Sequence, residues 1–293
     1  MIDPGQLRAL ALILRTGSFE AAAEALHVTP SAVSQRIRAL EDRLGTTLVI
    51  RAQPARATEA GARLARHAED MELLEQALAA DLGADLGGER PSVRIAVNAD
   101  SLATWVLPAL TAMADVLYDI VTDDQDHSAD WLRRGAVQAA VTSQGAPIAG
   151  CDTFPLGALR YIATASPEFV QRWFARGLDA DSLSRAPALV FNRKDALQTQ
   201  WTERLVGKRL PLTAHYVPSS HAFVEAALVG LGWGMNPEPL VEGHLRDGSL
   251  VAIAPDAPME VVLHWQVGRL SARALAPLTQ AIRQAAGAYL VPV

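Results

Sequence analysis

The chain has 293 residues, half of them hydrophobic, and a formal charge of −6. It is long enough to bury a sizeable core and is expected to hold two or more domains. One cysteine, Cys151, excludes an intrachain disulfide. No apolar run approaches the ~20 residues of a membrane helix, and the first residues lack a signal peptide's basic-then-apolar layout, so a cytoplasmic protein is expected.

The charge is unevenly spread. Residues 1–58 carry seven Arg and five acids, a balance of +2, which leaves −8 for the remainder. A mildly basic head on an acidic body fits a DNA-reading module joined to something else.

The head opens with Leu7, Leu10, Ala11 and Leu14 at helical spacing, closed by Gly17. Ser18 can cap a second, Ala-rich helix over 19–26, and His27-Val28 turn the chain. The stretch 29–45, TPSAVSQRIRALEDRLG, then reads as a helix marked at both ends: Thr29 as N-cap, Pro30 in the first turn, Gly45 as a left-handed cap. Val33, Ile37, Leu40 and Leu44 form its expected buried stripe. Ser31, Ser34, Gln35 and Arg38 line the opposite ridge, with no carboxylate before Glu41. Such a ridge suits a DNA major groove: the amide can reach adenine, Arg can reach guanine or phosphate, and short hydroxyls allow close approach. A solvated amphipathic helix would look similar; two preceding helices and a tight turn favour a helix-turn-helix. Leu48-Val49-Ile50 followed by Arg51, Gln53, Pro54 and Arg56 reads as a wing, its arginines placed for phosphate or minor groove.

Thr58 caps a long helix whose apolar stripe is Leu64, Ala68, Met71, Leu74, Leu78 and Leu82, close to the 3.6 period and not a strict heptad. This stripe is the expected dimerisation face, because a helix-turn-helix reads two half-sites through a twofold; packing on its own domain is the alternative. The helix ends in a linker containing Gly83, Gly87, Gly88 and Pro91. The predicted domains are 1–57 for DNA reading, 58–88 for dimerisation and hinge, and 89–293 for effector binding.

From Val93 strands and helices alternate. Strands are predicted at 93–97, 116–121, 137–141, 159–163, 189–191, 215–217, 234–235, 250–253 and 261–266. Helices are predicted at 101–113 with a kink at Pro108, 129–134, 168–175, 196–206, 223–229 and 272–288. Repeated βα units imply parallel sheets, and two sets imply two lobes with a cleft. The run Gly230-Leu231-Gly232-Trp233-Gly234 is no dinucleotide loop, because a helix precedes it and a strand follows. Cys151 and the histidines His215, His221, His244 and His264 fall in no G-x-S-x-G, H-E-x-x-H or C-x-x-C pattern, so no catalytic or metal site is expected.

The stretch 17–51, GSFEAAAEALHVTPSAVSQRIRALEDRLGTTLVIR, resembles the winged helix-turn-helix of LysR-type transcriptional regulators. Wing, long helix and two-lobed α/β domain follow in that family's order, so the resemblance covers the full chain. VNADSLATW (97–105), DQDHS (124–128), LRRG (132–135), AAVTS (139–143) and GLGWGMNPE (230–238) resemble the LysG/ArgP branch, regulators of basic amino acid export. The resemblance implies a homodimer or homotetramer on promoter DNA with twofold half-sites, contact with RNA polymerase, and lysine, arginine or histidine as effector, with no cofactor. The effector domain would be a periplasmic-binding-protein-like pair of α/β lobes. The family's DNA contacts fall on Pro30, Ser31, Ser34, Gln35 and Arg51. This chain has Gln35-Arg36 where many relatives carry the basic residue first, which leaves either as the base-reading side chain. Ser18, Thr29, Arg36, Arg38 and Arg56 complete the expected interface.

A basic amino acid needs helix N-termini for its carboxylate and carboxylates for its cations. Two βα junctions qualify: Asn98-Ala99-Asp100-Ser101 with Leu102, and Ser219-Ser220-His221 before Phe223. Asp100 has a competing reading as a plain helix cap. Asp124 and Asp126, beside His127, are the expected cation ligands; solvated loop carboxylates are the alternative. Thr142 is expected on the cleft floor, with Trp105 in the core.

Overall fold

A computed structural model describes residues 2–84, 90–123 and 128–293. The head is three helices and a two-stranded wing: α1 (Pro4–Thr16), α2 (Phe19–Ala25), α3 (Pro30–Leu44), β1 (Val49–Ile50) and β2 (Arg56–Ala57), the strands pairing antiparallel. Local chemistry sets each boundary. Asp3 caps α1, and Gly17 ends it in the left-handed region. Ser18 Oγ accepts from the Glu20 and Ala21 amides to start α2. His27 turns the chain at φ +53°, a left-handed conformation that costs a non-glycine residue energy. Thr29 Oγ1 accepts from the Ala32 amide, and Gly45 closes α3 at φ +66°. Val33, Ile37 and Leu40 are buried with Leu10, Ile13, Ala22 and Leu48. Leu44, expected in that stripe, is 41% exposed; one turn beyond Leu40 the helix has passed the head's core.

The wing is tied to α3 by Glu41, whose Oε1 accepts from the Leu48 and Val49 amides at 2.7 and 3.2 Å. Helix α4 (Glu59–Asp81) then leaves the head at close quarters: a Cβ on Gly61 would overlap the Leu48 carbonyl. Its first half packs Ala60, Leu64 and Ala65 into the head's core, and its second half sends Leu73 and Ala77 into the core of the following domain. The expected dimer stripe is therefore divided. Leu64 is used within the chain, Ala68 is buried, Met71 is half-buried, and Leu74, Leu78 and Leu82 face outward at 38, 56 and 73% exposure.

The first lobe begins with β3 (Ser92–Asn98). A helical segment follows in three pieces: α5 (Ala99–Ser101), a π-helical turn (Leu102–Val106) and α6 (Leu107–Leu110). Pro108 stands in the first turn of the last piece, not at a mid-helix kink, and the register change is taken up by the wider π turn. Next come β4 (Leu117–Asp123), α7 (Ser128–Arg133) and β5 (Ala139–Thr142). Strand β6 (Cys151–Ala165) crosses to the second lobe, which holds α8 (Pro167–Trp173), α9 (Ala180–Arg185), β7 (Ala188–Val190), α10 (Leu197–Val206), β8 (Ala214–Tyr216), α11 (Ser220–Leu228), β9 (Gly234–Pro237), α12 (Glu238–Asp247) and β10 (Val251–Ala252). Strand β11 (Met259–Gly268) returns to the first lobe and leads into α13 (Arg269–Ala272) and α14 (Ala276–Tyr289).

The expected all-parallel sheets are corrected here. The main sheet is mixed, in order β10-β6-β11-β5-β3-β4 with β9 also on β6. Among the described residues, parallel pairing joins β3 with β4 and β5, and β7 with β8, beside a single parallel bridge between Ala188 and Trp233. The two crossing strands β6 and β11 run antiparallel along ten register pairs, with an irregularity at Leu263/His264 between the lobes. The crossing makes one sheet serve both lobes. Trp105, Trp201, Trp233 and Trp265 are fully buried.

Candidate functional site

Two regions present polar groups in arrangements that packing alone does not require. In the head, Pro30, Ser31, Gln35 and Arg38 are exposed along α3, while Ser34 and Arg36 are half-buried at its edges. Thr29 is spent on capping, and Ser18 both caps α2 and donates from Oγ to Glu20 Oε2 at 2.7 Å. Arg51 and Arg56 are exposed on the wing. The Arg51 guanidinium lies 5.0 Å from the centre of the Phe19 ring, so α2 fixes its direction.

The second region lies between the lobes, where β3 ends. Asn98, Ala99 and Asp100 from the first lobe meet Tyr161 of β6, and Phe191, Asp195, Gln198, Ser220, Phe223 and Asn236 from the second. Asp100 spans the gap. Its Oδ2 accepts from Tyr161 Oη at 2.7 Å, and its Oδ1 accepts from Ser220 Oγ at 2.6 Å. Asp195 is the second carboxylate, accepting from the amides of Phe191 and Leu197, both at 2.9 Å.

Three buried amide oxygens face the same region with no hydrogen-bond partner in the chain: Asn98 Oδ1, Gln198 Oε1 and Asn236 Oδ1. The Asn236 amide is oriented by its own donor, since Nδ2 donates to Thr164 Oγ1 at 2.9 Å. Buried acceptors left unpaired cost ~1–3 kcal/mol each. The described lining therefore holds two carboxylates, three orphaned carbonyl oxygens and no Lys, Arg or His. It asks for a donor-rich cation. The cleft is partly open to solvent, and the space within it is about 50 Å³, room for one or two waters at ~30 Å³ each. A larger guest enters only when the lobes part.

Of the effector residues expected from sequence, Asn98, Asp100, Ser220 and Phe223 line this cleft. The lining does not include Ser101, Leu102 or Thr142; Ser101 and Thr142 are fully buried, and Leu102 packs on the core. Ser219 is the exposed N-cap of α11, and His221 points to solvent. Both lie one residue to either side of Ser220, where the helical turn aims side chains away from the gap. Asp124, Asp126 and His127 lie outside the described residues. Sequence reasoning missed Tyr161, Asp195, Gln198 and Asn236. At the crossing, His264 pairs with Thr142 and lies against Gly145, and burial pushes its imidazole below the usual value.

Comparison with known proteins fits both regions. Residues 4–62 match the bacterial regulatory helix-turn-helix model of the lysR family, and residues 86–287 match the LysR substrate-binding domain model. The chain belongs to the LysR family of transcriptional regulators. Among its LysR relatives, the regulator LysG of Mycobacterium tuberculosis is 44% identical over 290 residues, covering 98% of this chain and 95% of LysG. The lysine export transcriptional regulatory protein LysG of Corynebacterium glutamicum is 40% identical over 293 residues, covering 97% and 98%. The crystal structure of ArgP from M. tuberculosis superimposes with a TM-score of 0.84 at 44% identity over the whole of both chains. Full-length LysG from C. glutamicum with arginine bound as effector gives 0.71 at 39% identity, covering 99% of this chain and all of that one. LysR proteins of this kind are DNA-binding regulators, not enzymes. Among the described residues, no helix is long and apolar enough to cross a membrane, and no His, Cys, Asp and Glu gather as a metal site.

Proposed function

We propose that this LysR regulator senses a basic amino acid in the cleft between its lobes and controls transcription of an amino acid exporter gene. The observation that carries the reading is the acceptor-rich lining: Asp100, Asp195 and the orphaned oxygens of Asn98, Gln198 and Asn236 suit ammonium and guanidinium donors. The ligand's carboxylate is assigned to the N-terminus of α11 at Ser220, where backbone donors and the helix dipole favour an anion. The arginine-bound C. glutamicum relative supports this ligand class, and the export role in that relative's name supports the gene class. The ligand selects an opened or re-closed lobe arrangement, and the shift in population changes the placement of the heads. Pro30, Ser31, Ser34, Gln35, Arg36, Arg38, Arg51 and Arg56 are assigned to the DNA. Leu74, Leu78 and Leu82 are assigned to a partner's α4 in a dimer. Domain limits of 1–57, 58–88 and 89–293 suit these roles.

The test is thermal melting with each common amino acid, followed by calorimetry comparing arginine with citrulline, its uncharged near-isostere. A ligand at about a hundred times its Kd adds ~2.7 kcal/mol, a rise of several degrees. Stabilisation by arginine, lysine or histidine with little by citrulline is expected; equal binding of citrulline refutes the cation reading.

A further inference from the structure

The middle of α4 meets the effector domain where three strands of the first lobe come together. Asp70 Oδ1 accepts from Gln138 Nε2 at 3.1 Å and from Ser271 Oγ at 3.3 Å. Gln138, just before β5, is itself a junction. Its Oε1 accepts from the Arg94 amide of β3 at 2.7 Å, and its own amide donates to the Arg94 carbonyl at 2.9 Å. Its carbonyl accepts at 2.8 Å from the amide of Gly268, the last residue of β11. Ser271, 3% exposed, sits in α13 directly after that strand. One carboxylate on the helix thus receives donors tied to β3, β5 and β11.

Those strands also frame the cleft. Asn98, which lines the cleft, lies four residues along β3 from Arg94, ~13 Å at ~3.3 Å per residue, and β5 pairs alongside β3. Strand β11 begins in the other lobe, at Met259. On the opposite side, eleven residues of helix, ~16 Å at ~1.5 Å each, separate Asp70 from the start of α4 in the head. Leu73 and Ala77 pack beside the contact, and Arg273 pairs with Asp81 at 2.7 Å further along. Burial pushes the Asp70 carboxyl above its usual value, while the bonds from Gln138 and Ser271 pull it down. A half-buried carboxylate, partly stripped of water, is a costly way to hold a helix that apolar packing already holds. Its worth is direction: hydrogen bonds fix the helix's rotation and slide, which apolar contact leaves looser.

We propose that Asp70 is a positioning residue that sets the angle of α4 on the strands of the cleft, so that lobe movement is passed to the DNA-reading head. The inference rests on the proposed effector cleft only for its response to ligand; the placement of the heads is a property of the ligand-free protein as well.

The experiment uses the full-length protein and DNA enriched by it from a random library, with half-site spacing then varied in single base pairs. The wild type is expected to favour one spacing by about tenfold or more. Asp70→Ala flattens that preference to within about threefold, while arginine affinity by calorimetry stays within about twofold of wild type. Asp70→Asn, which keeps an oxygen where Oδ1 accepted both bonds, retains the preference. Ser271→Ala, a mild change that leaves the helix packing intact, gives an intermediate profile. Arginine alters DNA binding by the wild type and by Asp70→Asn, and leaves Asp70→Ala unchanged. A wild-type spacing profile for Asp70→Ala or Ser271→Ala overturns the proposal. So does an Asp70→Asn variant as flattened as Asp70→Ala. Failure of arginine, lysine and histidine alike to bind the wild type overturns the effector reading alone, since the spacing profiles decide the role of Asp70 without ligand.

Discussion

The side chains assigned to DNA in α3 come from nine consecutive residues, 30–38, whereas the cleft draws on segments between 98 and 236. The first set is exposed or half-buried, and its geometry is fixed by one helix with a cap at each end. The second is largely buried, and its geometry exists only when two lobes and a crossing strand are in place. A local face spreads its affinity over backbone and base contacts, so removing one member costs about that one contact. A buried acceptor cluster is interdependent, so single changes there should be expensive.

The comparison is sharpened most by Asp100→Asn. Removing one member of a buried charged pair costs ~2–5 kcal/mol, so arginine affinity should fall at least ~30-fold by calorimetry, with ligand-free binding to specific DNA unchanged. A loss below about fivefold, the least expected of a single base contact in the head, would make the cleft no less tolerant than the head and break the contrast. Next in size is Gln35→Ala. Each good base contact is worth ~1–3 kcal/mol of discrimination, so competition assays should show specific binding weakened and random-DNA binding nearly intact; equal loss on both would demote Gln35 to a backbone contact. The smallest effect concerns α4, which joins the two regions. Burial raises the Glu69 carboxyl, with neighbouring Asp70 pushing the same way. A carboxyl raised on folding favours the native state while protonated, so that stability is full below its unfolded value near 4.5 and is lost as pH rises through the higher folded value. Glu69→Gln should therefore melt slightly higher than wild type at pH 7 and no differently at pH 3. A difference that persists at pH 3 would point to packing, not charge.

The same contrast explains what could be read in advance. Thr29, Pro30 and Gly45 bound α3 where expected, because caps act within four residues of themselves. Leu44 failed because a period says which face is apolar and not how far the neighbour extends. In the effector domain, the predicted helix over 272–288 is two, Arg269–Ala272 and Ala276–Tyr289; Pro277, in the second helix's first turn, marks the restart. Helices α9 and α12 were missed, the latter carrying Pro239 and Gly243 that read as turn residues. Strand β6 is fifteen residues long where five were expected, because it faces a different environment in each lobe and its alternation is broken near Pro155. Asn98, Asp100 and Ser220 were legible as βα junction residues. Tyr161, Gln198 and Asn236 were not, since nothing near them in the chain says that β6, α10 and β9 converge.

The narrow cleft has a kinetic consequence. The proposed ligand is larger than the roughly 50 Å³ available between the lobes, so its capture and its release in this cleft require the lobes to part. Association measured by stopped flow should then level off as arginine concentration rises, at the rate of opening, instead of climbing in proportion. A regulator gated in this way averages over brief swings in supply. The hydrogen bond from Ser220 to Asp100, which joins the two lobes at 2.6 Å, must break for them to part.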